Sequence, residues 1–396
     1  MSRSTLPEDL QSAADRAIAR RDPRVALLLL AQAEAAGART AALHMSRALA
    51  LRMTGEFAAA VGALDQALDV DPYAFLAHLS KGALLERLER PRAAARSYRI
   101  ALDLAPPADR LPASVAAAAE RARACVQEQA EALAARLRAD TAALRGPGAS
   151  ADLARFDWAL TVYSGLAPPP PTSPNVVQQP LLLHYPDLPT TPFLPREQAP
   201  WLTELEAAAP AVQADLERVL ALRAEGWAPY IAYPPGAPVN QWGELNHSRR
   251  WSTLFFWKDG ERQPAVCDAC PDTAALLDRM PMARQTDFAP TAMFSALEPR
   301  TRIPPHTGSA NFRLIVHLPL VLPGPARFRV GDETREWRIG EAWVFDDTIE
   351  HEAWNDADET RVILIFDIWH PDLSDRERAL IGAMMQAKNA WTAEEG

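Results

Sequence analysis

The sequence has little of three features that would place it in common protein classes. Its 396 residues include only three cysteines, too few for a disulfide framework and typical of a reducing compartment. No apolar run approaches the roughly 20 residues that a membrane-spanning helix needs. The first residues also lack the apolar core of a signal peptide. These absences predict a cytoplasmic protein without a membrane partner.

Basic residues are outnumbered by acidic residues. Lysine and arginine number 41 against 51 aspartates and glutamates, which gives a net charge of −10. Nucleic acids bind to basic surfaces, so we predict no nucleic-acid partner. What the chain does contain is 48% hydrophobic and 23% charged residues, the balance of a folded protein rather than a disordered or fibrous one. Its length predicts two or three domains.

Residues 1–145 are dense in alanine, leucine, arginine and glutamate, a composition typical of packed helices. A shift of about 34 residues superposes Ala48 on Gly82 and Pro72 on Pro106. Small residues at recurring positions let paired helices approach closely, and a recurring proline ends the second helix. The pattern resembles the tetratricopeptide repeat and implies an α-solenoid of three repeats.

A solenoid of this kind has a concave face that commonly holds a peptide, so the resemblance implies that a peptide or protein substrate binds to the repeats. The alternative is that the repeats only pack on the neighbouring domain or on a second copy of the chain. A capping helical segment is predicted from Pro112 to Leu144. Residues 146–178 are predicted to be a linker, with one helix at Asp152–Gly165 and a stiff, proline-rich connector at Ala167–Pro174.

Residues 179–396 have a different composition, which is rich in aromatic, proline and β-branched residues. Helices are predicted at Trp201–Leu222, at Pro271–Met280 and at Asp375–Asn389, the last with a capping box of Ser374 and Glu377. Short strands separated by turns are predicted at Ala292–Leu297, Phe312–Val321, Ala326–Val330, Thr334–Arg338, Ala342–Phe345, His351–Trp354 and Arg361–Ile368. The chain is therefore predicted to be an α+β multidomain protein, with a C-terminal double-stranded β-helix of the jelly-roll or cupin-like type.

Two histidines in the strand-rich region are candidate metal ligands. His306 stands at a strand entrance and His351 on a later strand. Imidazole suits Fe(II), and the usual open iron site adds a carboxylate to two histidines. The carboxylate commonly stands two residues after the first histidine, where this chain has Gly308. From residue types alone, ordinary barrel histidines remain an alternative.

The surrounding sequence resembles the aspartyl/asparaginyl β-hydroxylase family. The resemblance is carried by the segments 178–189, 306–318, 328–331, 344–355 and 366–371. It implies a 2-oxoglutarate-dependent oxygenase whose iron is held by only two histidines, with glycine where the carboxylate would stand. Gly308 fits that pattern.

The resemblance also implies roles for individual residues. His306 and His351 match the iron ligands. Arg361 matches the arginine that pairs with the distal carboxylate of 2-oxoglutarate, since a guanidinium grips a carboxylate with two hydrogen bonds. Ser295 matches a serine beside that carboxylate, and His317 matches a histidine near the metal-binding end of the cosubstrate.

Substrate contacts are less well defined by the resemblance. Arg313 matches an arginine that faces the substrate, and Arg249 and Arg250 are further candidates. The chain departs from the family at Ile315, where the best-known members have a second arginine. The residues around Trp251 also differ from the acid-recognising set of the family, so substrate identity does not carry over.

The predicted activity is that of a dioxygenase that depends on Fe(II), 2-oxoglutarate and O2 and hydroxylates an unactivated carbon. The expected target is the β-carbon of Asp or Asn in a protein, a peptide or a small metabolite. One alternative is the same chemistry on an acyl or lipid substrate. Another is a non-catalytic scaffold with a degenerate jelly roll, for which Ile315 is the best argument.

Two further motifs have mundane interpretations that we favour. Cys267 and Cys270 have the spacing of a zinc knuckle or redox pair, but no second pair follows, so a simple loop is expected. Asp346 and Asp347 could offer an oxygen ligand near His351, but paired aspartates before a strand are more typical of a turn.

Overall fold

The computed structural model describes residues 7–146, 151–168, 177–221, 226–235 and 237–394. Its contacts divide the chain into two compact units. One comprises Met1–Ala132, Tyr233–Val239 and Thr392–Gly396, and the other Leu133–Ala232 and Asn240–Trp391. Within the described ranges, no helix combines the length and the apolar character that crossing a bilayer requires.

The first unit is built from consecutive helix pairs, as the repeat pattern predicts. The helices are α1 Pro7–Ala19, α2 Pro23–Ala35, α3 Ala41–Thr54, α4 Phe57–Val70, α5 Phe75–Arg87, α6 Pro91–Asp103 and the long α7 Ala113–Asp140. Within each of the first three pairs the two helices pack on each other. The structure thus confirms a helical N-terminal region, while its assignment to the tetratricopeptide type stays a prediction.

Local signals in the sequence set several of these helix ends. Asp22 accepts a hydrogen bond from the backbone N of Val25 at the start of α2, and Thr40 does the same for Leu43 at the start of α3. Gly55 ends α3 in the left-handed region with φ of 86°. These caps mark short turns between consecutive helices, both within a pair and between pairs.

Close packing of α5 on α6 depends on a glycine. A Cβ atom added to Gly82 would overlap the ring of Tyr98, which is buried in the core of this unit and donates a hydrogen bond to Glu86. The small residue that the repeat pattern places here therefore has a direct steric cause.

The second unit contains helices around two sheets. Its further helices are α8 Ala151–Ser164, α9 Leu202–Ala207, α10 Ala209–Ala221, α11 Pro264–Ala269, α12 Pro271–Arg279 and α13 Asp375–Ala393. Its strands are β1 Ala228–Pro229, β2 Trp251–Lys258, β3 Glu261–Arg262, β4 Ala292–Leu297, β5 Thr301–His306, β6 Arg313–Val321, β7 Ala326–Val330, β8 Glu333–Glu336, β9 Trp343–Phe345, β10 His351–Asn355 and β11 Arg361–Trp369. Short 3-10 helices lie at Ala108–Arg110, Ala142–Leu144, Arg196–Gln198 and Asn240–Trp242.

The strands form two antiparallel sheets. The larger has the order β1-β2-β4-β11-β6-β9 with β3 beside β2, and the smaller has the order β5-β10-β7-β8. From β4 to β11 the chain passes repeatedly between the sheets, which is the strand order of a double-sheet jelly roll. The predicted C-terminal architecture is therefore present.

Four strands, β1, β2, β3 and β5, were not predicted from the sequence. β5 contains Pro304 and Pro305, which argue against a strand interior, but β5 lies at the edge of its sheet, where proline is tolerated. β2 is a run of mostly apolar and aromatic residues that ends at the turn residues Asp259 and Gly260. The seven strands that were predicted are all present, with ends that differ by a few residues.

Some predicted helices differ in detail. The helix expected at Trp201–Leu222 is two helices, α9 and α10, divided before Pro210, and Leu222 lies outside the described residues. The predicted capping box of α13 is confirmed, because the backbone N of Glu377 donates to Ser374 Oγ and the backbone N of Ser374 donates to the Glu377 carboxylate. Most of the proline-rich connector also falls outside the described residues.

The larger sheet separates an apolar core from a polar interior. On one face, alternate residues such as Val316, Leu364 and Phe366 pack against α9, α10 and α12 in a large buried cluster. The other face points toward the smaller sheet. Because side chains alternate along a strand, the residues between the core positions must face this interior.

We predict that Gly82→Ala destabilises the protein by about 1–3 kcal/mol, because the added methyl group overpacks the contact with Tyr98. The cost of this steric overlap outweighs the stabilisation of about 1 kcal/mol that alanine gives over glycine through its higher helix propensity. Urea unfolding followed by circular dichroism measures the change. Gly62→Ala in α4 is the matched control, since a Cβ there meets no atom within 4 Å, and it should be neutral or stabilising. A Gly82→Ala protein as stable as the wild type would contradict the close packing.

Candidate functional site

His306 and His351 face each other across two paired strands. His306 ends β5 and His351 begins β10, and the two residues are direct partners in the antiparallel register. Their ring centres are 4.1 Å apart. The structure therefore brings together the two predicted metal ligands, on strands whose backbone pairing holds them in place.

Both imidazoles are held in the same way. Nδ1 of His306 lies 2.7 Å from the carbonyl oxygen of Pro304, and Nδ1 of His351 lies 2.9 Å from that of Ile349. These contacts assign the proton to Nδ1 and leave the Nε2 lone pair of each ring as the metal-binding atom. Burial lowers the pKa of His306 to about 4 and that of His351 well below its usual value, so both rings are neutral at pH 7, as metal ligation requires.

Gly308 leaves space that a carboxylate from elsewhere fills. A Cβ atom on Gly308 would collide with the carboxylate of Asp347, and the backbone N of Gly308 donates to the Asp347 carbonyl at 2.6 Å. Burial raises the pKa of the Asp347 carboxyl to about 7, and its Oδ1 has no hydrogen-bond partner among the described residues. Within those residues, no group of three or more His, Cys, Asp or Glu is placed to share a metal ion.

Arg361 is a buried cation with unused hydrogen-bonding capacity. It is only 1% exposed, and its Nε and Nη1 have no partner in the part of the chain that the structure describes. Its guanidinium stands 4.5 Å from the ring centre of Trp337, a cation–π contact. Burial lowers its pKa to about 9, so it remains charged at pH 7. Such a group is expensive to bury without an anion.

The strand register places Ser295 and His317 on the same face as Arg361. Arg361 pairs with Leu297, two residues from Ser295, and His317 pairs with Ile365. Ser295 Oγ accepts a hydrogen bond from Nε1 of Trp251 at 3.0 Å. The ring of His317 is 4.7 Å from that of Phe345, which is 5.4 Å from that of His351. All the predicted cosubstrate residues thus line one interior.

The arginines predicted to contact substrate lie in two environments. Arg313 is buried and forms an ion pair with Asp367, with its guanidinium 4.8 Å from the ring centre of Phe288. Arg250 donates to Thr301 Oγ1 at 3.3 Å, near the start of β5 and away from His306. Arg249 is exposed on the turn before β2. Their contact with a substrate stays a prediction.

Aromatic residues missed by the sequence analysis form a wall beside His306. The ring centre of Trp242 lies 4.9 Å from that of His306 and 6.0 Å from that of Trp251. The ring of Tyr230 packs on Trp251 at 4.3 Å. A dense run of aromatic residues between 227 and 257 was the available signal. Trp337 also lines the site, through its cation–π contact with Arg361.

The structure places the paired aspartates and the two cysteines, which were expected to form a turn and a loop. Asp346 Oδ1 accepts hydrogen bonds from the backbone N and the hydroxyl of Thr348, so Asp346 forms the expected turn. Cys267 and Cys270 are free and buried, but they lie at the junction of α11 and α12 rather than in a loop. Burial raises the pKa of the Cys270 thiol to about 12, which leaves little reactive thiolate.

Comparison with known families identifies the domain that carries this site. Residues 206–371 match the family model described as aspartyl/asparaginyl beta-hydroxylase. This domain belongs to that family. The matched residues include both candidate metal ligands and Arg361.

Two characterised relatives show how far the likeness extends. The aspartyl/asparaginyl beta-hydroxylase of Homo sapiens is 34% identical over 187 residues, which cover 47% of this chain and 24% of that protein. The ornithine lipid ester-linked acyl 2-hydroxylase of Rhizobium tropici is 34% identical over 195 residues, covering 48% of this chain and 65% of that protein. In both cases the likeness spans less than two thirds of the relative.

Solved structures give only a weak likeness. The Schizosaccharomyces pombe Cnp3 cupin domain is 8% identical, with a TM-score of 0.21, over 31% of this chain and 66% of that chain. This score is too low to show a shared fold.

We predict that Gly308→Ala destabilises the family domain by about 1–3 kcal/mol, because its methyl group collides with Asp347. Asp347→Ala should relieve the collision, so the double variant should be less destabilised than the sum of the single variants, by about 0.5–3 kcal/mol. Thermal unfolding of the four proteins measures this coupling. Gly243→Ala, with no atom within 4 Å of its added Cβ, is the control. Strict additivity would show that the collision is relieved in another way.

Proposed function

We propose that this protein is a dioxygenase that depends on Fe(II) and 2-oxoglutarate. The observation that carries the proposal is the combination, inside one jelly roll, of two neutral, paired imidazoles with a buried guanidinium whose Nε and Nη1 have no hydrogen-bond partner among the described residues. The imidazole pair supports a ferrous ion with open coordination positions. The guanidinium supports a second ligand that carries a carboxylate.

The residues of the site fit the proposed cofactor and cosubstrate. The Nε2 atoms of His306 and His351 would hold Fe(II), since both Nδ1 atoms are used by backbone carbonyls. Arg361 would pair with the distal carboxylate of 2-oxoglutarate, and the hydroxyl of Ser295 would donate to the same group. Bound Fe(II), with O2, would supply the oxidant for an unactivated carbon while 2-oxoglutarate is converted to succinate and CO2.

The protein itself would hold the reacting groups in position and exclude water from the site. The paired strands fix both histidines, and Phe328 and Phe345 pack directly against the ring of His351. Trp251 orients the hydroxyl of Ser295 through its indole N–H. A buried, preorganised set of this kind places reacting groups without reorganisation during the reaction.

For the substrate, we propose the β-carbon of Asp or Asn in a protein, a peptide or a small metabolite. Support comes from the match to the family that is named for this activity. A peptide would also suit the helical unit, where a cavity of about 290 Å³ is lined by apolar residues including Leu49, Leu64 and Leu84.

A second candidate substrate is an acyl chain. It is favoured by the match to the Rhizobium acyl 2-hydroxylase and by the apolar wall that Trp242 and Trp251 form beside His306. Ile315, which lies on the interior face opposite Asp367, also presents hydrocarbon where the resemblance would place an arginine. The scaffold alternative is disfavoured, because the complete set of site residues is present in one interior.

The cosubstrate reaction is tested without knowing the substrate. Purified protein is mixed with Fe(II), ascorbate and 2-oxoglutarate, and succinate is measured. Uncoupled turnover is expected, and His306→Ala and His351→Ala should abolish it. Arg361→Met should raise the KM for 2-oxoglutarate about tenfold or more, since it removes charged hydrogen bonds.

Arg338→Met is the matched control, because the Arg338 side chain is 79% exposed, and its KM should equal that of the wild type. Wild-type protein that forms no succinate and binds no 2-oxoglutarate would overturn the proposed function and favour the scaffold.

The two substrate classes are distinguished by mass spectrometry. Peptides that contain Asp and Asn, and separately an ester-linked acyl lipid, are incubated with the active mixture. The first proposal expects the gain of one oxygen on the β-carbon of Asp or Asn, with succinate formed in equal amount. Oxygen gain on the acyl chain alone would replace the Asp or Asn proposal by the second candidate.

A further inference from the structure

Residues 178–185, which we call the strap, connect the two segments that carry the histidines. The strap lies before the residues that match the family model. The backbone N of Gln179 donates to the carbonyl of Thr348 at 2.7 Å, on the segment that leads to His351. The backbone N of Leu181 donates to the carbonyl of Gly308 at 2.9 Å, on the segment that follows His306. One short stretch of chain therefore holds both segments.

The side chain of Gln178 lies at the centre of this connection. It is 5% exposed, and its amide N donates to the carboxylate of Asp346. Its amide oxygen accepts hydrogen bonds from Nδ2 of Asn311 at 3.3 Å and pairs with Nε2 of His184 at 3.2 Å. Gln178 thus connects Asp346, which precedes His351 in the sequence, to Asn311, which follows His306.

On one side of Gln178, the contacts continue to the imidazole ring of His351. Asp346 holds the turn through Thr348, and the carbonyl of Ile349, the next residue, holds Nδ1 of His351. On the other side, Asn311 Oδ1 accepts from the backbone N of Tyr185 at 2.6 Å. The amide of Asn311 is thereby fixed at both ends, by Gln178 and by the strap backbone.

A site with only two side-chain ligands depends strongly on such support. A third protein ligand would itself restrict the geometry, and neighbouring hydrogen bonds must do so where it is missing. Strand pairing fixes the backbones of β5 and β10, but a register irregularity lies between His351 and Ala353. The hydrogen bonds from the strap restrain the turn before His351 in addition to this pairing.

We propose that Gln178 is a positioning residue that holds the two-histidine site in its metal-binding geometry through Asp346 and Asn311. The proposal rests on the proposed function, because it assigns the strap to the same metal site. It gives Gln178, to which the resemblance assigns no role, a place in the machinery of that site.

Mn(II) binding to the full-length protein tests the proposal directly. Free Mn(II) is measured by electron paramagnetic resonance during titration, which needs no turnover. Gln178→Met keeps the length and approximate volume of the side chain but removes all its hydrogen bonds. It should weaken Mn(II) binding about tenfold or more, as is typical when a partner behind metal ligands is lost. Gln179→Met, at a neighbouring exposed side chain, is the matched control and should bind like the wild type.

A second variant guards against a protein that fails to fold. Thr348→Val removes the hydroxyl that donates to Asp346 but leaves the backbone N donor in place, so it should weaken binding by less than Gln178→Met. Circular dichroism checks folding. If Gln178→Met is unfolded, unchanged Mn(II) affinity in folded Thr348→Val overturns the proposal.

The possible outcomes distinguish a failure of the role proposed for the strap from a failure of the proposed function. Wild-type protein that binds no Mn(II) overturns the metal site, and the role of the strap with it. Wild-type protein that binds Mn(II), with folded Gln178→Met binding equally well, overturns the strap alone. Weaker Mn(II) binding in Gln178→Met, with KM for 2-oxoglutarate near the wild-type value, supports a role at the metal rather than a general loss of structure.

Discussion

The antiparallel register of β5 and β10 is the constraint on which the candidate site depends. It makes His306 and His351 direct partners. Each imidazole ring is then oriented by a hydrogen bond from its Nδ1 to the backbone carbonyl two residues earlier. Backbone hydrogen bonds are cooperative and hold both strands over several residues. The pairing of the two strands therefore places the centres of the two imidazole rings 4.1 Å apart.

Alternation of side chains on the larger sheet supplies the other half of the site. Along β11, the residues on one face enter the apolar cluster under the helices, and those between them face the interior with Arg361. Burial lowers the pKa of all three basic groups, but the resulting charge at pH 7 differs between them. It keeps His306 and His351 neutral by lowering their pKa values, while Arg361 stays charged because its unperturbed pKa is so high. The same interior thus offers metal-binding nitrogens and an anion-binding cation.

Much of the fold was predictable because local patterns agreed with tertiary structure. The strands Ala292–Leu297 and Ala326–Val330 have the predicted bounds, and the capping box of Ser374 and Glu377 forms as expected. Predictions failed where tertiary context overrides local preference. β5 tolerates two prolines only because it is an edge strand. The helix expected from Trp201 was wrong for a local reason instead, because it divides before Pro210, and proline disfavours a helix interior.

The sequence by itself determined the chemistry that is available: two histidines, a glycine where a carboxylate is usual, and an arginine at the start of a strand. These follow from residue identity and from a motif that extends along the chain. Tertiary structure alone decided which groups meet. It placed Asp347 beside Gly308, paired Arg313 with Asp367, and set Trp242 against His306 and Gln178 against Asp346. These contacts join residues far apart in sequence, so only the crossing of strands between two sheets brings them together.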